Sequence, residues 1–156
     1  MTHDASSRHV VHETLTFQRI YDTSPTQVFA AFADVERRAR WSAPSPNTII
    51  VYSKSDFAVG GADESRCGAA SDPQYAVRTH YHDIVQDRRI VFTEAVSTLG
   101  ELLAVSLITW ELIAVRGGTK VVVTDQLTAI DGADMVSGTR FGMTAALDNL
   151  ARELRS

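Results

Sequence analysis

Apolar and polar positions alternate with a period of two over residues 9–21, so that Val11, Leu15, Phe17 and Tyr21 fall on one side of an extended chain. This predicts a long strand. The period then lengthens: Val28, Phe29 and Phe32 recur at helical spacing and predict a short helix that buries one side. Ser24 stands where its hydroxyl accepts from the first turn, Pro25 where a missing N–H is harmless, and Gln27 at the capping-box position. Asp34 can cap a second short helix running through Arg40. Trp41 and the breaker-rich run Ser42, Ala43, Pro44, Ser45, Pro46 end it. Glu36, Arg37, Arg38 and Arg40 read as the solvated face of that helix.

Strand patterning returns at residues 47–59, where Ile, Val, Tyr and Phe precede a turn at Gly60-Gly61, and residues 62–71 return from it. Asp72-Pro73 predicts another turn before a strand over 75–85, and Gln86-Asp87 a third. Residues 89–97 and 102–115 form the next hairpin, and Gly117-Gly118 turns into 119–130. The last segment changes period again. Phe141, Leu147, Leu150, Ala151 and Leu154 share one helical stripe, with entry capped by Asp134 or Ser137. Gly138 and Gly142 weaken its first turns by about 1 kcal/mol each relative to alanine, which points to close packing or to room for a ligand.

The order strand, two short helices, about six antiparallel strands, long amphipathic helix leaves the final helix one large apolar partner, the concave face of the sheet. At 156 residues the chain fits one domain, expected over 9–156, with residues 1–8 polar and frayed. An apolar content of 44% and charged content of 22% are those of a globular chain. No apolar run approaches the roughly 18 residues a membrane span needs, and no signal peptide is evident, so a cytoplasmic location without membrane insertion is expected. A net charge of −4 argues against nucleic acid as a partner. Cys67, the single cysteine, excludes an intrachain disulfide and a thiolate cluster.

The stretches YDTSPTQVFAAFADVERRARW, DFAVGG, YHDIVQDRRIVFTE, GGTKVVVTDQ and GMTAALDNLARELR, in this order, span nearly the whole chain from Phe17 onward. In them the sequence resembles the START-like, or SRPBCC, superfamily, and within it the group similar to the C-terminal domain of the Hsp90 ATPase activator Aha1. It departs from the group at Ala58 and Ala62, where basic residues are common. The resemblance implies an α+β helix-grip fold: a curved antiparallel sheet of about six or seven strands wrapped around a long C-terminal helix, with two short helices after the first strand. It also implies a pocket between helix and sheet. Members of the superfamily use it to bind lipids, hormones or polyketides, some cyclise or dehydrate the bound molecule, and the Hsp90-activator relatives act as co-chaperones.

Period-two alternation places Glu94 and Asp125 on the same inner face as Phe92, Trp110, Val121 and Val123. Two carboxylates entering an apolar cavity are the candidate catalytic pair, because burial raises a carboxyl pKa toward the range of acid-base work. The alternative places them near strand ends, solvated or paired with Arg66 or Arg78. Phe29, Phe32, Trp41, Tyr75, Tyr81, Phe92, Trp110, Gly138, Phe141 and Gly142 are the candidate ligand-binding positions, though the aromatics serve equally as core. His80 and His82 share a strand face but lack a third ligand, so no metal and no cofactor is expected. Motifs of hydrolases and phosphate loops are absent from the sequence. The reading is a binder of a small apolar or amphipathic molecule. Its rivals are a cyclase or dehydratase using Glu94 and Asp125, and a chaperone-binding module using the Arg37, Arg38, Arg40 cluster. A homodimer through sheet edges is compatible with it.

Overall fold

In the structure, a computed structural model that describes residues 9–130, 132 and 134–156, strand β1 (Val11–Tyr21) leads into helices α1 (Pro25–Ala33) and α2 (Val35–Trp41). Six strands follow: β2 (Thr48–Ser55), β3 (Ala62–Ala69), β4 (Asp72–Val85), β5 (Arg89–Thr98), β6 (Glu101–Val115) and β7 (Gly118–Ala129). Helix α3 (Asp134–Arg155) closes the chain. The expected fraying of residues 1–8 lies outside the described residues.

The strands form one antiparallel seven-stranded sheet in the order β1-β7-β6-β5-β4-β3-β2. Strands β2 to β7 are thus a meander of hairpins, and β1 joins its far edge through β7. The pair α1–α2 carries the chain from one edge to the other. Sequence and structure agree on the helix-grip arrangement.

The capping chemistry acts as the sequence implies. Ser24 Oγ accepts from the Gln27 N–H at 3.3 Å, and Asp34 Oδ1 accepts from the N–H groups of Glu36 and Arg37 at 3.0 and 3.1 Å. Strand β2 ends at Ser55, short of the predicted 59: the Asp56 N–H is shared between the Ala62 carbonyl and Asp63 Oδ1, and beyond it the chain turns, with the Ala58 N–H on the Asp56 carbonyl. A Cβ on Gly61 would run into the Asp56 carbonyl oxygen, so this loop needs glycine there.

One face of the sheet is the core. Leu15, Phe17 and Tyr21 of β1, Ile108, Trp110 and Leu112 of β6, and Val121, Val123 and Leu127 of β7 are buried at alternate positions. On the opposite face Ile20, Val105, Leu107 and Ile113 are exposed. Helix α3 lies over the β1 and β7 side and against α1 and α2. Tyr21 Oη donates to the Leu147 carbonyl at 2.8 Å, and Asn149 Nδ2 donates to the Ala43 carbonyl at 2.9 Å, fixing the second half of the helix. Ala146, Leu147 and Leu150 are its buried residues; each leucine contributes about 1.5–3 kcal/mol by leaving water.

The first half of α3 differs from expectation. Phe141, read as part of the buried stripe, is 68% exposed, because it projects from the side of α3 away from Leu150, and Val136 and Met143 take the inward places in these turns. Asp134 and Ser137 lie within the first turn of α3 and so do not precede it as caps. Among the described residues no helix is long and apolar enough to cross a membrane.

Candidate functional site

A charged centre lies under α2. The helical spacing that buries Trp41 also turns Arg38 inward, so the side chain expected on a solvated face is 4% exposed. Its Nη2 donates to Asp63 Oδ2 at 2.8 Å, and Asp63 is 3% exposed. The Tyr81 hydroxyl donates to the same oxygen, Arg38 Nε donates to Tyr52 Oη at 3.2 Å, and Nη1 donates to the Phe32 carbonyl. The guanidinium also lies 5.2 Å from the ring centres of both Phe32 and Tyr52. Burial pulls the Arg38 pKa down, but Tyr52, Tyr81 and Asp63 outweigh it and hold the value above its usual range. Every charge here has a partner. The centre ties α2 to β2, β3 and β4.

Beside it the predicted aromatic wall is a packed cluster. Phe32 lies 5.1 Å from Trp110, 5.8 Å from Phe92 and 6.0 Å from Trp41, centre to centre. Phe57 bridges Tyr81 at 5.0 Å and Phe29 at 5.7 Å. Trp41 Nε1 donates to the Ala31 carbonyl at 3.0 Å, which satisfies its polar end inside the protein. These rings fill one end of the inner face against one another.

The two carboxylates stand at the next level. Glu94 on β5 lies opposite Thr79 of β4 and Ser106 of β6, and Asp125 on β7 lies opposite Ile108 of β6. Ser106 and Ile108 are two residues apart on one face, which puts Asp125 diagonal to Ser106 and all three on the inner side. Asp125 is 2% exposed, and its Oδ1 has no hydrogen-bond partner. Burial pushes its pKa up, partly offset by the Ser106 hydroxyl. Glu94 is half-buried, and its pKa is pushed up to about 7 by burial first, then by the negative charges of Asp125 and Asp63. Near neutral pH this carboxyl is poised to hold or release a proton.

The arginines expected to neutralise the pair are elsewhere. Arg78 binds Glu64 at 3.3 Å and Arg66 is exposed, so among the described residues no ion pair reaches Glu94 or Asp125. Beyond Glu94 the inner face stays open: Val96, Val77 and Cys67 are half-buried and Tyr75 is 36% exposed.

Residues 22–155 match the family model of the Activator of Hsp90 ATPase homolog 1-like protein. The chain belongs to this family. Among solved structures, this Hsp90-activator-like chain is similar to the Mll3558 protein of Rhizobium loti, with 34% identity and a TM-score of 0.82 over 93% of this chain and 99% of that one. It is also similar to a protein of Rhizobium leguminosarum, with 29% identity and a TM-score of 0.82 over 95% and 97% of the two chains. The likeness to protein CV1439 of Chromobacterium violaceum, at 23% identity and a TM-score of 0.80 over 92% and 97%, shows the shared fold. No curated protein matches the chain.

Within this Hsp90-activator-like fold the remaining candidates are dispersed. A Cβ at Gly138 would meet nothing within 4 Å, and one at Gly142 would meet Pro44 at 3.7 Å, so close packing does not account for the first glycine. Both histidines are exposed; His82 Nε2 lies 2.9 Å from Thr93 Oγ1 on the outer face. The larger surface concavity, about 550 Å³, lies outside the grip between the 43–46 loop and the last turns of α3. It is shallow, and its Glu153 is already paired with Arg37 at 3.2 Å and Arg40 at 2.6 Å, so the chemically distinctive position remains the inner face. Sequence reading missed Asp63, Tyr52, Phe57 and Ser106. For Asp63 a signal exists in the alternation Gly61, Asp63, Ser65, Cys67, which puts the acid on the inner face, and in the three-residue step from Arg38 to Trp41.

Proposed function

We propose that this chain binds a small apolar or amphipathic molecule on the inner face of its sheet, beside the first half of α3. The observation that carries this reading is the unsealed inner row. Beyond the packed aromatic cluster, Val77 and Val96 keep part of their surface and Tyr75 more than a third, although they point to the side that is the core elsewhere. An apolar face left open next to a few converging polar groups is the usual make-up of a small-molecule site. The start of α3 packs through Met135 and Val136 but leaves Gly138 exposed and unopposed, an edge that a ligand can reach past.

The family description names an activator of the Hsp90 ATPase. The arginine cluster gives a chaperone-docking reading little support here, since Arg38 is buried and Arg37 and Arg40 share Glu153. The test of ligand binding is native mass spectrometry and thermal shift of the purified protein against lipids and aromatic metabolites, repeated on Val96→Trp, which fills the open row. Compounds that raise the wild-type midpoint and fail to raise that of Val96→Trp support the proposal. A wild-type protein unmoved by the whole panel, or equal shifts in both proteins, would reject it.

A further inference from the structure

We infer that the inner site selects a ligand carrying a protonated amine on an apolar body, with Glu94 as the contacting group and Asp125 as a positioning charge behind it. This rests on the ligand-binding reading above and adds the chemistry of what is bound.

Glu94, Asp125 and Ser106 meet on one face of three neighbouring strands, with Thr79 across from Glu94 on a fourth. Asp125 is almost fully buried and keeps an oxygen without a partner, so its lost hydration is not repaid within the protein. Arginines of the sheet and of α2 are placed elsewhere: Arg38 pairs with Asp63, Arg78 with Glu64, Arg89 with Asp83 and Arg19 with Asp148 at 3.6 Å, while Arg66 stands exposed on the outer face. The face therefore offers acceptors and negative potential to whatever enters. A carboxylate or phosphate would be repelled, a neutral alcohol would gain one hydrogen bond, and an ammonium would gain a charge-assisted bond in a site of reduced water access. Apolar neighbours Val77 and Val96 take the rest of the molecule.

Three probes of one shape test this: 2-naphthylmethylamine, 2-naphthylmethanol and 2-naphthoic acid, titrated by calorimetry at pH 8 into wild type, Glu94→Gln and Glu94→Gln with Asp125→Asn. The amine should bind wild type about tenfold more tightly than the alcohol, with the acid weakest, and this preference should fall to near parity in the double variant. Circular dichroism shows whether each variant folds; should the double variant fail, the single Glu94→Gln carries the comparison, with most of the preference lost. Equal binding of amine and alcohol by wild type, or a preference unchanged by Glu94→Gln, overturns the inference while leaving the ligand-binding proposal standing. Absence of binding by all three overturns the inference, whereas the proposal itself then falls only if the wider panel also fails.

Discussion

Asp63 and Asp125 are both aspartates on the inner face, each with no more than 3% of its surface exposed, yet they sit in opposite electrostatic circumstances. Asp63 has a guanidinium, a phenol and a backbone N–H on its two oxygens. Asp125 has a serine hydroxyl and a bare oxygen, and lies close enough to Glu94 for the two negative charges to oppose each other. Burying a charge is tolerable when partners replace the lost water, and the first site meets that condition completely. The second does not. A fold able to satisfy one acid so fully has left the other short, and that contrast is what singles out the Glu94 and Asp125 level for the binding proposed above.

The comparison can be broken most severely from the satisfied side. Asp63→Ala strands the buried Arg38 charge and should lose about 3–5 kcal/mol in urea unfolding. A loss below about 1 kcal/mol would show that water reaches Arg38 and that the two aspartates differ less than their contacts imply.

The unsatisfied side should respond with the opposite sign. The Glu94 value of about 7 lies above the roughly 4.3 of an unfolded chain, so the native state holds a proton between those limits that the unfolded state releases. Stability from this group is present in acid and lost as pH rises through 7. Glu94→Gln should therefore gain on the order of 2–3 kcal/mol over wild type at pH 8 and nothing near pH 4. Asp125 on β7 and Asp63 on β3 add their negative charge against ionised Glu94, and Glu94 in turn adds to the burial that raises the Cys67 thiol on β3 and the Tyr52 phenol on β2. Urea midpoints at the two pH values decide; a destabilised Glu94→Gln at pH 8 would mean the carboxylate has a partner after all.

The smallest effect sharpens the boundary of the site. Phe141→Ser should change stability by less than about 0.5 kcal/mol, since Phe141 is already 68% exposed. A larger loss by thermal melting would place the start of α3 within the core.

Much of this was legible in the sequence because turns and alternation are local. Ser24, Asp34 and the paired glycines announce element boundaries within a few residues of where they fall, and period two puts Glu94 and Asp125 on the inner side. What periodicity carries poorly is pairing across distance. Arg38 and Asp63 are 25 positions apart and meet through the packing of α2 on the strands, so an arginine among charged neighbours reads as solvated. The aromatic positions were legible as inward but not as mutually packed, since ring-to-ring distances depend on helix placement. Phe141 failed on helical phase: at 3.6 residues per turn it stands about half a turn from Leu150, on the side opposite the one that Val136, Met143 and Leu147 turn to the core.

The pairing of β1 with β7 has a consequence for synthesis. Strands β2 to β7 can zip together in the order they are made, each on its predecessor, whereas β1 must wait until residue 118 and beyond have emerged. For most of translation Leu15, Phe17 and Tyr21 are a strand without a sheet, and the nascent chain is most exposed to aggregation through the segment it made first.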